Sequence, residues 1–317
     1  MSAKMTTRFR HLLERPEILQ IPGGFSALHA RLTSMIGFEA FFMAGSQTAA
    51  FLQGLPDVGI ITMKDMVDNG RQIAGACDIP IFADADTGYG NAVNTYYTVR
   101  EYVRAGVAGV HIEDQEAPKK SGTFAGRRCI SREEAVGKYR AAIAAKNEID
   151  PDFVICARCD LVGAEGGSFA ESVERCIAYV EEAQVDAIWV NGLKTREEIA
   201  EACERIPGPV VGSYYGAPPA PTLQELESMG VAGVLFPSLT TAVGLQAIWE
   251  FLNDFKEQGP AALETWSARA KASRWGVLKR NSSPLLDLDK ILAMEDEYLP
   301  KELRRDYEGT FGHKTHF

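Results

Sequence analysis

Residues 83–91 read Ala-Asp-Ala-Asp-Thr-Gly-Tyr-Gly-Asn and follow directly on the apolar run Ile79-Pro-Ile-Phe82. Asp84 and Asp86 stand two apart, a spacing that puts two side chains on one face of an extended strand. Further along, Glu113, Asp114 and Gln115 end the apolar run that begins at Gly109, and Arg158 and Asp160 end the run that begins at Phe153. Carboxylates gathered at neighbouring strand ends repel one another unless a cation sits among them. Oxygen ligands without His or Cys favour a hard ion, Mg2+, with Mn2+ as the alternative. Arg158 can grip a substrate carboxylate or phosphonate through its planar fork. Ser46, in Ala44-Gly-Ser-Gln47, can hold a second carboxylate together with the N–H groups of a glycine turn. The stretch 117–131, APKKSGTFAGRRCIS, is long for a strand-to-helix connection and reads as a lid, with Lys119, Lys120, Arg127 and Arg128 drawing an anion.

Such groups need a scaffold that brings strand ends together. Strand-like runs fall at 18–23, 40–45, 79–86, 109–115, 153–160, 187–192, 209–215 and 233–238, separated by helix-like runs such as 92–105 and 168–183. Ser131/Glu134, Ser168/Glu171, Thr195/Glu198 and Thr222/Glu225 have the spacing of capping boxes. Residues 104–110 (RAGVAGV) recur as 228–234 (SMGVAGV), with a looser echo at 183–188: helix, turn residue, strand. Eight such units predict an α/β fold, a closed (β/α)8 barrel over residues 1–259, with an open doubly wound sheet as the alternative. In a barrel of this kind the site lies at the C-terminal strand ends. Those ends also carry Asn191, Tyr214, Tyr215 and Ser238. Residues 260–317 read as a C-terminal helical extension with a loose polar tail, GTFGHKTHF.

Composition narrows the function classes. Across 317 residues the formal net charge is −10 and no basic stripe occurs, which argues against nucleic acid. No apolar run approaches a membrane span, and the N-terminus lacks the apolar core of a secretion signal, so the expected location is the cytoplasm. The six cysteines read as reduced structural thiols; Cys156 and Cys159 match Cys-x-x-Cys in letters, but strand alternation sends them to opposite faces.

Gly54-Leu-Pro-Asp57, ADADTGYGN, His111-Ile-Glu-Asp-Gln115, Pro118-Lys-Lys-Ser-Gly122 and Ala157-Arg-Cys-Asp160 together resemble the isocitrate lyase/phosphoenolpyruvate mutase superfamily, over residues 8–260. The resemblance implies an Mg2+-dependent barrel enzyme that cleaves or forms C–C or C–P bonds next to a carboxylate through an enolate or oxyanion. It implies a homotetramer, a dimer of dimers that swap a C-terminal helix. It makes Asp84 the direct metal ligand, with Asp57, Asp86 and Glu113 holding its waters. Arg158, Gly45 and Ser46 would bind substrate carboxylates, with Gln47 and Asn191 beside them, and Lys119 to Gly122 would be the gating loop. Lyases of this group carry a catalytic cysteine where this chain has Ser121 and a glutamate where it has Asn191. Lys119, Ser121 and Arg158 are then the catalytic candidates. The leading expectation is a lyase or decarboxylase acting on a small anionic α-oxo or α-hydroxy di- or tricarboxylate. The alternatives are a phosphonopyruvate hydrolase or phosphonomutase, and a catalytically silent dicarboxylate-binding barrel.

Overall fold

A computed structural model describes residues 4–213, 219–274, 283–307 and 309. Tyr214, Tyr215 and all but the first residue of the polar tail lie outside them. The residues divide into two compact units, 1–242 and 243–317.

The first unit is a closed parallel barrel of eight strands in sequence order. They are β1 (Leu19–Gly24), β2 (Phe41–Met43), β3 (Ile81–Asp84), β4 (Gly109–Glu113), β5 (Val154–Cys159), β6 (Ala187–Val190), β7 (Val210–Gly212) and β8 (Val231–Phe236). The strands are apolar throughout because both faces are covered. Ile21, Phe42, Phe82, Cys156, Trp189, Val211 and Leu235 fill the interior. Ile81, Ala83, Val110, Ile155, Ala157, Cys159 and Ile188 instead pack in a second cluster that includes residues of the surrounding helices. Cys156 and Cys159 therefore do face opposite ways.

The N-terminal helix Met5–Glu14 went unread in the sequence. It carries Phe9, Leu12 and Leu13 into the interior cluster, with the Phe9 ring 5.3 Å from Phe82. Its apolar residues are too few to separate from the polar ones around them without knowing that an open barrel end needs filling.

Of the four capping boxes, those at Thr195 and Thr222 are complete. At Ser131 and Ser168 only the hydroxyl half is made, to the N–H of Glu134 and Glu171. Thr62 with Asp65 adds a further complete box. Thr195→Ala is expected to lower stability by about 1 kcal/mol, read from the urea midpoint, because the N–H of Glu198 loses its acceptor. The helix-ending turns of the repeat take the left-handed conformation at Gly106, Gln184 and Gly230.

In the second unit the helices are Pro260–Lys271 and Leu288–Tyr298, together with most of Leu239–Gln258, so the division falls earlier than residue 259. Among the described residues no helix is long and apolar enough to cross a membrane.

Candidate active site

Strand alternation delivers the site. Two residues beyond the interior side chains Phe42, Phe82, His111, Cys156, Trp189 and Val211 come Ala44, Asp84, Glu113, Arg158, Asn191 and Ser213 at the C-terminal mouth. Of these, Ala44, Asp84, Arg158, Asn191 and Ser213 line a cavity of about 430 Å³, together with Ser46, Gln47, Asp57 and Ser121. Buried tyrosines on the outer helices brace the strand ends. Tyr102 donates to the Asp84 carbonyl at 2.7 Å, and Tyr139 to the carbonyls of Ile112 and Arg158 at 3.1 and 3.3 Å.

Asp86 reaches the mouth by a route that alternation does not predict. β3 ends at Asp84, and Asp86 sits in a turn with φ 46°, followed by Gly88 and Gly90 at positive φ. The turn lets the Asp86 N–H donate to Asp84 Oδ1 at 2.9 Å while the Asp86 carbonyl accepts from Glu113 N–H at 2.7 Å. Asp84 Oδ2 accepts from Gly45 N–H at 3.1 Å. A Cβ at Gly45 would stand 2.7 Å from that oxygen, so the close approach requires glycine. The Gly45 N–H, expected to face a substrate carboxylate, is therefore already given to Asp84. Ser46 and Gln47 remain at the cavity wall, Gln47 Nε2 donating to Ser46 Oγ at 3.3 Å and its Oε1 accepting from Thr241 at 2.6 Å.

The carboxylates are not equivalent. Lys119 Nζ lies 2.8 Å from Asp57, 2.8 Å from Asp86 and 3.4 Å from Glu113. Arg158 bridges Glu113 at 3.0 Å and Asp160 at 2.9 Å, with its guanidinium 4.6 Å from the Trp189 ring centre. Asp84 alone of the four expected metal carboxylates has no lysine or arginine in contact. Its neighbour is His111, whose Nε2 lies 3.4 Å away. Both ring nitrogens of His111 are buried and unpartnered.

Burial drives the titrations. It pushes Glu113 up to about 8 and Asp86 up to about 6 against the pull of Arg158 and Lys119. It pushes His111 down to about 4, which leaves a neutral imidazole near pH 7. Asp84 is also penalised by burial, yet stays down at about 2. What holds it there is His111, which is protonated at the low pH where Asp84 titrates, then Lys119 and Arg158, with the Asp86 N–H. Burial works against the charge of Lys119, but the surrounding carboxylates hold its proton well above the ordinary lysine range.

These features suit a divalent cation. Oxygen or nitrogen atoms of Asp84, His111 and Glu113 lie within 4.8 Å of one another. Asp84, ionised, buried and without a lysine or arginine in contact, is the oxygen donor a hard ion uses, while the His111 imidazole beside it is a nitrogen donor that such an ion does not need. His111 was missed as a site residue, although its place two residues before Glu113 put it on the same face. Asp114 moves the other way. Alternation turns it out of the mouth, where it accepts from Tyr179, Arg175 and the Asp160 N–H.

The long connection is pinned at its neck by Gln115 and Cys129, which pair as an antiparallel bridge. Gln115 then clamps both backbone groups of Lys120. The Ser121 N–H donates to the Asp57 carbonyl at 3.0 Å. Three of the four basic residues expected to draw an anion are already engaged. Lys119 serves the carboxylates, Arg127 donates to the carbonyls of Gly122, Phe124 and Val162, and Arg128 pairs with Glu165. Ser121 Oγ has a single hydroxyl neighbour among the described residues, Thr123 Oγ1 at 3.3 Å. Asn191 Nδ2 donates to Asp160 at 2.6 Å and to the Gly122 carbonyl at 3.2 Å.

Residues 9–255 match the family model described as phosphoenolpyruvate phosphomutase. The chain is 37% identical to 2,3-dimethylmalate lyase of Eubacterium barkeri over 295 residues, 92% of this chain and 97% of that one. The structure of oxaloacetate acetylhydrolase in complex with the inhibitor 3,3-difluorooxalacetate is similar with a TM-score of 0.82 at 30% identity, over 93% of this chain and 98% of that one. Phosphonopyruvate hydrolase, in complex with oxalate and Mg2+, is similar with a TM-score of 0.80 at 28% identity, over 94% and 100%. Similarity of this extent, in sequence and in fold, makes the chain a member of the phosphoenolpyruvate phosphomutase family, within the PEP mutase/isocitrate lyase superfamily.

Proposed function

We propose that the chain is an Mg2+-dependent carbon–carbon lyase acting on a small 2-hydroxy or 2-oxo dicarboxylate, a substituted malate being the leading substrate. The observation that carries this reading is Asp84: buried, ionised and without a cationic side chain in contact, at the mouth of a 430 Å³ cavity that also holds Arg158. The 2,3-dimethylmalate lyase relative supports the substrate class. Mg2+, or Mn2+ in its place, would be held by Asp84 with Glu113 alongside, and would supply Lewis-acid stabilisation of negative charge on a substrate oxygen.

For a substituted malate the C2 hydroxyl passes its proton to solvent water reaching the cavity, and the C2–C3 bond breaks. The electron pair goes to C3 as an enolate, C2 becomes a carbonyl, and C3 then takes a proton. Arg158 has guanidinium hydrogens left beyond its two carboxylates and orients a substrate carboxylate. Lys119, surrounded by acids that hold its proton, anchors the loop rather than donating. Ser121 and the exposed Thr123 form a hydroxyl pair that can relay a proton. Ser121 gives its proton to C3 as it takes one from Thr123, and the exposed Thr123 takes one in turn from solvent water, so neither hydroxyl has to ionise. This relay accounts for a serine at the position where related lyases carry cysteine.

The test is turnover of 2,3-dimethylmalate, other substituted malates, oxaloacetate and 2-methylisocitrate with Mg2+, followed as release of a 2-oxo acid. Release of phosphate from phosphonopyruvate instead would transfer the assignment to C–P chemistry. Binding without turnover across the panel would leave a silent barrel.

The ion should compete with protons on Asp86 and Glu113. Both carboxyls hold protons more tightly folded than unfolded, so their contribution to stability is full at low pH. In metal-free protein it is lost as pH rises from about 4, the unfolded range, through about 6 for Asp86 and about 8 for Glu113. The rise in Tm produced by MgCl2 is therefore expected to be larger at pH 8 than at pH 6, by differential scanning fluorimetry.

The helix Leu239–Gln258 exposes Leu245, Ile248, Trp249 and Leu252, each more than half exposed and spaced as one stripe. We assign this stripe to a second copy of the chain, with the helix-swapped tetramer as the expected assembly, tested by light scattering. The six free cysteines suit a cytoplasmic setting.

A further inference from the structure

Asp160 follows β5 and has no exposed surface. Its Oδ1 accepts from Arg158 Nη2 at 2.9 Å and from Asn191 Nδ2 at 2.6 Å. The same Asn191 nitrogen donates its other hydrogen to the Gly122 carbonyl at 3.2 Å. One amide NH2 thus faces two acceptors, which dictates its orientation: the flipped amide would set its oxygen against two oxygens. Gly122 belongs to the long connection after β4, whereas Asn191 follows β6, two places round the barrel. The fit is close, since a Cβ at Gly122 would stand 2.1 Å from Arg158 Nη2 and 2.7 Å from Asn191 Nδ2.

We infer that Asp160 is the positioning residue of a latch, in which it orients the Asn191 amide so that the amide holds the Gly122 segment down over the cavity. A carboxylate at position 191 could not do this, because it would face both the Asp160 carboxylate and the Gly122 carbonyl. The asparagine makes the latch neutral and closed without a proton or a ligand. The carboxylate at 160 draws two donors to one oxygen and so couples the aim of Arg158 to the position of the loop.

Limited trypsin digestion of the full-length chain tests this without substrate or metal, so its outcome is separate from that of the lyase reading. Lys120 and Arg128 are exposed, and cleavage after them is followed by mass spectrometry, with cleavage elsewhere as the internal reference. Asn191→Ala is expected to speed loop cleavage about fivefold, the effect of one lost hydrogen bond. Asn191→Asp should speed it by more than tenfold. Asp160→Ala should match Asn191→Ala, while Asp160→Asn should stay near wild type, since an amide oxygen can still accept from both donors. A role confined to filling space would not separate Asp160→Asn from wild type or link position 160 to loop cleavage. Folded Asn191→Ala protein cut at the wild-type rate would overturn the latch, and this variant decides the matter even if Asp160→Ala fails to fold. Asp160→Asn cut as fast as Asp160→Ala would overturn the positioning role.

Discussion

Asp84→Ala is expected to abolish turnover and to remove divalent-cation binding. A metal in such a site contributes several kcal/mol of transition-state stabilisation, so a loss of about 4 kcal/mol, on the order of a thousandfold in rate, is the minimum expected. The reason lies in the inequality of the acids. Asp57, Asp86 and Glu113 are each engaged by Lys119 or Arg158, whereas Asp84 contacts only backbone N–H groups and a neutral imidazole. Removing it takes away the one carboxylate without a cationic neighbour. The fold should tolerate the change. Two N–H groups lose an acceptor, but the repulsion that helps raise Asp86 and Glu113 is relieved. Mn2+ binding followed by electron paramagnetic resonance, with Tm as the control, checks both halves. A variant that is folded and fully active would end the metal reading, and with it the proposed chemistry.

Arg158→Leu is expected to cost both activity and stability. The guanidinium is the shared counter-ion of two fully buried carboxylates, Glu113 and Asp160. Breaking such a group by removing one partner costs about 3–5 kcal/mol, because the remaining charge is stranded in a dry site. The cost should depend on pH with a definite sign. Without Arg158 the Glu113 carboxyl, already pushed up by burial, is easier still to protonate, and protonation removes its stranded charge. Urea unfolding at pH 8 should therefore show a larger penalty than at pH 6. Arg158→Lys should not restore activity, since an ammonium cannot bridge both acids and stack on Trp189 at the same time. Equal penalties at the two pH values would mean that the bridge does not carry the charge of Glu113.

Related lyases of this group carry a glutamate where this chain has Asn191, and a thiol where it has Ser121. Both replacements have a physical counterpart in the structure. Asn191 gives two hydrogen bonds that a carboxylate could not give, and Ser121 stands beside a second hydroxyl.

The barrel was legible in the sequence because its strands are apolar on both faces and its helices are opened by side-chain caps. Hydrophobic period and capping are local properties of the chain. Asp84, Glu113 and Arg158 were legible for the same reason: each falls two residues past an interior side chain, and alternation carries it to the mouth. Tertiary structure alone decided which acids are free and which are paired. The chain order gives no sign that Lys119, near in sequence only to Glu113, gathers Asp57 and Asp86 as well, or that Asp114 turns away to Tyr179 and Arg175. Asp86 arrives through a left-handed turn and His111 through burial beside Asp84, neither of which has a local signature. A residue's type and its face follow from spacing along the strand. Its charge state and its partners follow from what other strands and loops bring within a few ångströms of it.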